Sequence, residues 1–464
     1  MPKIAILSHT HPSVTRGGAE ISAYTLYSGL RDLGHDAAFI AACPTRDRAK
    51  VMLQSPDEHV VFYEPGEYDA FYHVAPPQMT AQVESLLADI GADVAIFHHL
   101  LFFGANTIRR VADSGVATAL TLHEFLILCN NHGQMVTNPA QRLCSRSHPV
   151  ACAQCFPAIA ADQFAARQAF LLESLAGVRA FISPSQFLID RFAGWGFPSE
   201  RFHLVENGLT ALAGLTDGLR QAGIEAAPLP PLLARPRPPG DATQPPLEVA
   251  SDEADRAVII GFFGQLNPFK GIDVIIEAAE RLNDTPGPWP TRFRIHGNIV
   301  SLPEAMQVRL DAAIASNIIE YLGPYDNADV RSLMGECDYV LMASRWWENS
   351  PVVIQEAFAA RRPLIVPGIG GMAEKVTDRV SGFHFKVGDS ADLARVVRMA
   401  AGYDPRQFTL PSPTTPREMA ASYLAAIDPR PAQVTSPSEV PVAAPLAPVP
   451  RAAKGAAGRQ ARKA

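Results

Sequence analysis

Short, nearly continuous apolar runs alternate along this chain with longer segments whose apolar residues recur at helical spacing. KIAILSH (3–9) is a β-prone run, and AEISAYTLYSGLRDLGH (19–35) after it carries the helical period. DAAFIA (36–41), DVAIFHH (93–99), TALTLHE (118–124) and VRAFISPS (178–185) read as further strands, each followed by a loop or helical segment. This rhythm predicts a doubly wound parallel sheet. It then starts again. RAVIIGFFG (256–264) precedes the amphipathic KGIDVIIEAAERL (270–282), and RFRIHG (292–297), IIEYLG (318–323), CDYVLMAS (337–344) and RPLIVPG (362–368) continue the alternation. The expected fold is therefore α/β, with two Rossmann-like, doubly wound parallel-sheet domains facing across a cleft.

Proline density sets the expected boundaries. The first domain covers 1–208. Residues 209–255, containing PLPPLLARPRPPG, form a junction in which proline blocks regular ladders. The second domain runs over 256–410, REMAASYLAAI (417–427) reads as a last helix within 411–428, and 429–464 reads as a tail. The last 14 residues carry five basic and no acidic side chains, which fits a disordered tail or a weak anchor to anionic lipid.

Composition narrows the function. The 464 residues are 47% hydrophobic and 19% charged, enough for two ordinary cores. A net charge of −7 gives no broad basic field for nucleic acid. Ile4–Leu7 is too short an apolar run for a secretory leader, and no stretch approaches the ~18 apolar residues of a membrane span. A cytoplasmic protein is expected, with room for peripheral contact at a membrane's inner face.

Candidate chemistry sits where strands end. Gly17 and Gly18 open a helix after the first strand, so that a ligand's phosphate could meet its free amides; a ligand-free tight turn fits as well. GFFGQLNPFKG (261–271) repeats this arrangement and adds Lys270 as a point charge, with a solvated lysine as the alternative. In RWWENSPVVIQEAF (345–358), Glu348 and Glu356 lie eight residues apart. Pro351 suits a first helical turn, which would offer amides around Asn349, Ser350 and Val352 to a phosphate. The two glutamates could grip a sugar hydroxyl and a ribose diol, or be unrelated surface acids. Trp346 and Trp347 could stack on a sugar or fill the core. HGNI (296–299), Gly370–Gly371 and His123 also occupy strand ends, where ligands of open α/β sheets collect.

Six cysteines are few for this length, yet Cys129, Cys144, Cys152 and Cys155 follow the spacing C-x14-C-x7-C-x2-C. Four thiolates could hold one structural Zn2+ tetrahedrally, with His132 or His148 as substitutes. An iron–sulfur cluster, disulfides and free thiols are the alternatives. Cys43 and Cys337 read as core residues.

Together RGGAE (16–20), TLHE (121–124), ISPS (182–185), VENG (205–208), GQLNPFKG (264–271), the E-x7-E pair and PGIGGMAE (367–374) resemble the retaining glycosyltransferases of family four, which have the GT-B fold. The resemblance spans roughly residues 3–400. It implies transfer of a hexosyl unit from a nucleoside-diphosphate sugar, UDP- or GDP-linked, to a hydroxyl of a glycan or lipid-linked saccharide. No metal is implied for the chemistry. By resemblance, Gly17 and Gly18 line the diphosphate from the first domain, Lys270 pairs with it, and Glu356 binds ribose. Glu348 lies by the transferred sugar's hydroxyls, His123 by its reacting carbon, and the last helix crosses back to the first domain. One position departs: Gln265 stands where the family commonly has arginine, and a neutral amide does not replace a bidentate guanidinium. Arg345 or Arg16 could assist Lys270 instead. A non-catalytic scaffold is the alternative that Gln265 favours, and an epimerase or phosphorylase is the enzyme alternative.

Overall fold

The computed structural model describes residues 1–15, 17–209, 257–287 and 290–427. Arg16, the proline-rich stretch from 210 onward and the basic tail lie outside the described residues.

Two parallel sheets organise the chain. The first contains β1 (Ile4–Ser8), β2 (Ala37–Pro44), β3 (Glu58–Tyr63), β4 (Val94–Phe97), β5 (Ala117–Thr121), β6 (Ala180–Ser183) and β7 (Phe202–Leu204), in the order β3-β2-β1-β4-β5-β6-β7. The second contains β8 (Val258–Phe263), β9 (Thr291–His296), β10 (Ile319–Gly323), β11 (Tyr339–Leu341), β12 (Leu364–Pro367) and β13 (Gly382–Phe385), in the order β10-β9-β8-β11-β12-β13. Helices cover both faces of each sheet, so a central strand such as β1 buries all five of its side chains and reads as a continuous apolar run. The strand order reverses between β1 and β4 in one sheet and between β8 and β11 in the other. The carboxyl ends of strands flanking such a reversal diverge and leave a crevice. His9, His98 and His99 flank the first crevice, and the loops after β8 and β11 flank the second.

The last described helix, Pro416–Ile427, docks on the first sheet. Its Met419, Ala420, Tyr423 and Ile427 share one core with Ala23, Leu26, Tyr27 and Leu30 of the helix Gly18–Asp32. The backbone of Pro416 comes so close to Gly29 that a Cβ at that position would overlap its carbonyl. Tyr423 is 1% exposed. Its hydroxyl meets Thr121 Oγ1 at 3.1 Å, and its ring stacks on His98 with centroids 5.8 Å apart. This helix thus supports the first crevice from behind. No helix among the described residues is long and apolar enough to cross a membrane.

Truncating a fully packed aromatic removes its burial and leaves a cavity, so Tyr423→Ala should cost about 3–5 kcal/mol of unfolding free energy by urea titration. A loss below about 1 kcal/mol would show that this helix is not part of the first core.

Candidate active site

Two loops at the carboxyl edge of the second sheet are zipped together. After β8 the chain makes a tight turn, Pro268–Lys270, capped by Asn267, whose side chain accepts from the amides of Phe269 and Lys270 at 3.0 and 3.1 Å. Gly271 then adopts φ +72° and lies so close to Ala343 that any Cβ would overlap the Ala343 carbonyl. That approach brings in the loop after β11. The Arg345 amide donates to Phe269 O at 2.8 Å, and Trp346 stacks on Phe269 with centroids 5.1 Å apart.

The zipper places Lys270 Nζ 2.6 Å from Glu348 Oε1. The Ser344 hydroxyl at 2.8 Å and the Trp346 indole N–H at 2.9 Å donate to the same oxygen. The side chains are mostly withdrawn from water, at 26% exposure for Lys270 and 14% for Glu348. Burial pushes the Glu348 carboxyl up, but the Lys270 ammonium and the two neutral donors outweigh it and hold it below the usual carboxylate range. Glu348 is thus a fixed anion. Glu356 differs: burial pushes its carboxyl above the ordinary value, opposed by one bond from Asn327 Nδ2 at 3.2 Å. It lies on the helix Val352–Ala359, which begins one residue after Pro351 rather than at it.

The same loop crosses to the first sheet. Asn349 Nδ2 donates to His123 O at 2.7 Å, and Trp347 Nε1 donates to Cys144 O at 3.0 Å. The Ser350 hydroxyl is taken by Glu206 Oε1 at 2.6 Å, and Glu206 also pairs with Lys375. Glu374 accepts from the amides of Gln186 and Phe187 at 2.8 and 2.9 Å, capping a first-domain helix from the second domain. Gly371 packs under the loop, where a Cβ would overlap Asn349 O. On the first-domain side, Gly17 caps the helix Gly18–Asp32 in extended conformation. His123 Nε2 meets His98 Nδ1 at 3.1 Å, and burial, with His98 and His99 alongside, pushes the His123 imidazole well below its ordinary value.

Lys270, Glu348, Asn349, Val352 and Glu356 therefore gather at one edge of the cleft, with His123 in contact across it. Other expected residues lie differently. Arg345 is turned onto Asp273 at 2.6 Å, and Gln265 is exposed. Ser350 is engaged in the domain contact. Arg16 lies outside the described residues. The cysteines depart most from expectation. Among the described residues no group of three or more His, Cys, Asp or Glu is arranged to hold a metal ion. The thiols take local partners instead: Cys144 donates to Arg146 O at 3.3 Å, and Cys152 lies 3.4 Å from the Ser147 hydroxyl. Burial pushes the Cys129 thiol up to about 11. The loop also has more apolar anchoring than its composition suggests, since Ile127, Leu128 and Met135 join the first core. Sequence reasoning passed over His98, Glu206, Glu374 and Lys375 as individual residues. Their signal was position alone, at a strand end, inside VENG or PGIGGMAE, or just after the latter.

A depressed carboxyl contributes stability above its unfolded value and loses it as pH falls through its folded value. Glu348→Gln should therefore cost about 2 kcal/mol at pH 7, and that difference should shrink as pH drops below the usual carboxylate range near 4.5. Urea midpoints of both proteins from pH 7 to 3.5 measure it. A difference independent of pH would mean that the ion pair does not hold the charge.

Residues 257–401 match the family model described as Glycosyl transferases group 1, and residues 16–211 match that described as Glycosyltransferase Family 4. Among curated proteins, the chain is similar to D-inositol 3-phosphate glycosyltransferases. That of Stackebrandtia nassauensis is 25% identical over 162 residues, 34% of this chain and 36% of the relative. That of Jonesia denitrificans is 30% identical over 176 residues, 37% and 41% of the two chains. The alignments thus span well under half the length of these relatives. Among solved structures, Anabaena HepE in complex with UDP-glucose is similar at TM-score 0.55 and 18% identity, over 92% of this chain and 96% of that one. Sucrose-phosphate synthase from Thermosynechococcus elongatus is similar at TM-score 0.57 and 14% identity, over 92% and 94%. At such identities the likeness speaks for the fold. Two glycosyltransferase family models lie on successive parts of the chain, over two parallel sheets that face a cleft, so the chain has a GT-B-like fold and is similar to glycosyltransferases of the family-four type.

Proposed function

We propose that the protein transfers a hexosyl unit, with retention, from a UDP- or GDP-sugar to a hydroxyl of a glycan or lipid-linked saccharide. The observation that carries this reading is the half-buried Lys270–Glu348 pair at the mouth of the cleft. An ammonium held by a carboxylate at that place is a cation kept in reserve for an incoming diphosphate. The second domain takes the donor. Lys270 Nζ passes to the diphosphate, whose remaining charge meets the amides at the start of the helix Val352–Ala359. Those of the helix Gly18–Asp32, approached past Gly17, face it from the first domain. Glu356 accepts from the ribose diol. Glu348, with Oε1 already taken by three donors, offers its other oxygen to the hydroxyls of the transferred sugar.

Chemistry then needs few groups. As the bond from the anomeric carbon to the phosphate oxygen breaks, negative charge grows on the diphosphate, and Lys270 with the helix amides stabilises it. The acceptor oxygen attacks from the face the phosphate leaves, and the departing phosphate oxygen takes its proton. His123, neutral, lies beside the reacting carbon. The contacts of Asn349, Glu374 and Glu206 across the domains keep the cleft closed against water, which would otherwise compete with the acceptor. The acceptor occupies the first domain, and a lipid-linked acceptor would be met at a membrane surface. Gln265 supports a second reading, a scaffold without turnover. Among the described residues Lys270 is the cation that pairs with Glu348, and Arg345 pairs with Asp273.

Calorimetry with UDP, GDP and their hexose conjugates tests the proposal. One nucleotide should bind clearly, and Lys270→Ala and Glu356→Ala should each weaken it at least about tenfold, the loss of a charge-assisted contact. Radiolabelled donor should then be turned over. Absence of binding by every nucleotide, in folded protein, would favour the scaffold.

A further inference from the structure

The cysteine-bearing loop meets the donor loop through two of its backbone carbonyls. Cys144 O accepts from the Trp347 indole N–H at 3.0 Å, and Ser145 O accepts from Arg191 Nη1 at 2.6 Å. Arg191 stands in the first-domain helix Gln186–Ala193. Its guanidinium lies over the ring of Phe187 at 4.7 Å and over that of Trp347 at 5.7 Å. The two rings are themselves 4.9 Å apart, tilted by 38°. From the second domain, Gly370 at φ +55° leaves room for both, since a Cβ there would come within 3.2 Å of Trp347 and 3.5 Å of Phe187. Trp347 is thus held by a cation, a ring and a carbonyl, all three from the first domain.

Packing alone does not call for a cation here. A guanidinium is costly to withdraw from water unless its N–H groups are met, and Arg191 Nε is buried without a hydrogen-bond partner. Attraction to the faces of two rings offsets part of that cost. An apolar side chain of similar volume would avoid it altogether. What the cation adds is direction, because it holds the indole at one place against the first domain.

The two adjacent indoles are pulled opposite ways. Trp346 stacks on Phe269 of its own domain and donates to Glu348, whereas Trp347 is fastened to the other domain. Glu348 follows directly, its carbonyl taken by the Gly371 amide at 2.8 Å, and Asn349 then reaches His123 O. The loop is therefore strung between the domains with Glu348 in its middle. Freeing Trp347 would let Glu348 shift relative to the first domain. The Lys270–Glu348 pair itself would survive, since both partners belong to the second domain.

We infer that Arg191 is a positioning residue for the transfer. Through Trp347 it sets where the donor loop, and with it the transferred sugar, stands against the first domain. This rests on the transferase reading above. It also gives the cysteine-bearing loop a use, since its backbone anchors both partners of the clamp.

The test is kinetic, on the full chain. Radiolabelled UDP-glucose, UDP-galactose and GDP-mannose are supplied, and label leaving the nucleotide counts as turnover. Small misplacements at a reacting centre cost up to about a hundredfold, so Arg191→Gln should lower kcat at least about tenfold. Its donor KM should stay within about twofold, with nucleotide still binding stoichiometrically by calorimetry, because the nucleotide contacts lie elsewhere. Arg191→Lys keeps a cation over the rings and should recover at least about threefold of the loss. Trp347→Phe should also lower kcat. Adding it to Arg191→Gln should cost no more than about twofold beyond the worse single change, because the two side chains act as one clamp. A kcat within about twofold of the unsubstituted chain in Arg191→Gln would overturn the inference, as would KM rising in step with the loss of kcat, or losses in the two single variants that multiply independently. If Arg191→Gln does not bind nucleotide stoichiometrically, Arg191→Lys and Trp347→Phe decide by the same split of kcat from KM. An unsubstituted chain that turns over none of these donors would instead overturn the transferase reading, and this inference with it.

Discussion

A carboxylate cannot be withdrawn from water without compensation, and much of the site is arranged around meeting that requirement at Glu348. Its Oε1 takes an ammonium, an indole N–H and a hydroxyl, drawn from two loops that follow different strands. Bringing Lys270 into range requires the Gly271 backbone to touch that of Ala343, and holding the loop from below requires Gly371 against Asn349. The glycines and the tryptophan therefore follow from the charge. Neither a lysine nor a glutamate alone could occupy this place without leaving a buried charge unmet.

The fixed loop then serves a second purpose, because its far side touches the other domain. Asn349 reaches the His123 carbonyl, and Trp347 reaches the Cys144 carbonyl. Nearby, Glu374 supplies a cap that the helix Gln186–Ala193 would otherwise share only with Ser185. Backbone groups at strand ends and helix starts have no partners within their own elements, so they are natural contacts between two such sheets. Closure and the placement of the charged pair are in this way one arrangement. The helix Pro416–Ile427 adds support from outside, pressing Tyr423 against the His98 that contacts His123.

The central strands were legible because burial on both faces leaves a continuous apolar signature, as in IAILS and VIIGFF. Three of the four edge strands were not. EHVVFY, FHL and GFHF are short or mix polar with apolar side chains, and each lies at a sheet margin where only one neighbour demands pairing. Motif residues could be located by their place at strand ends, but their partners could not. The pairing of Lys270 with Glu348 joins residues 78 positions apart, and the turning of Arg345 onto Asp273 depends on side-chain packing that spacing does not encode. The cysteines show the opposite risk. Their intervals suit a zinc knuckle, yet Cys144 and Cys152 find partners within a few residues of themselves. The contact of His99 with Glu124 behind His123 was invisible for a similar reason, since it unites the ends of β4 and β5.

The most direct measurement of the central claim is a crystal structure of the chain soaked or grown with UDP. The account predicts that Lys270 Nζ leaves Glu348 Oε1 for a diphosphate oxygen at about 2.7–2.9 Å, the range of charge-assisted bonds, while Trp346 and Ser344 keep Glu348 in place. UDP bound elsewhere, with the Lys270–Glu348 pair intact, would contradict it.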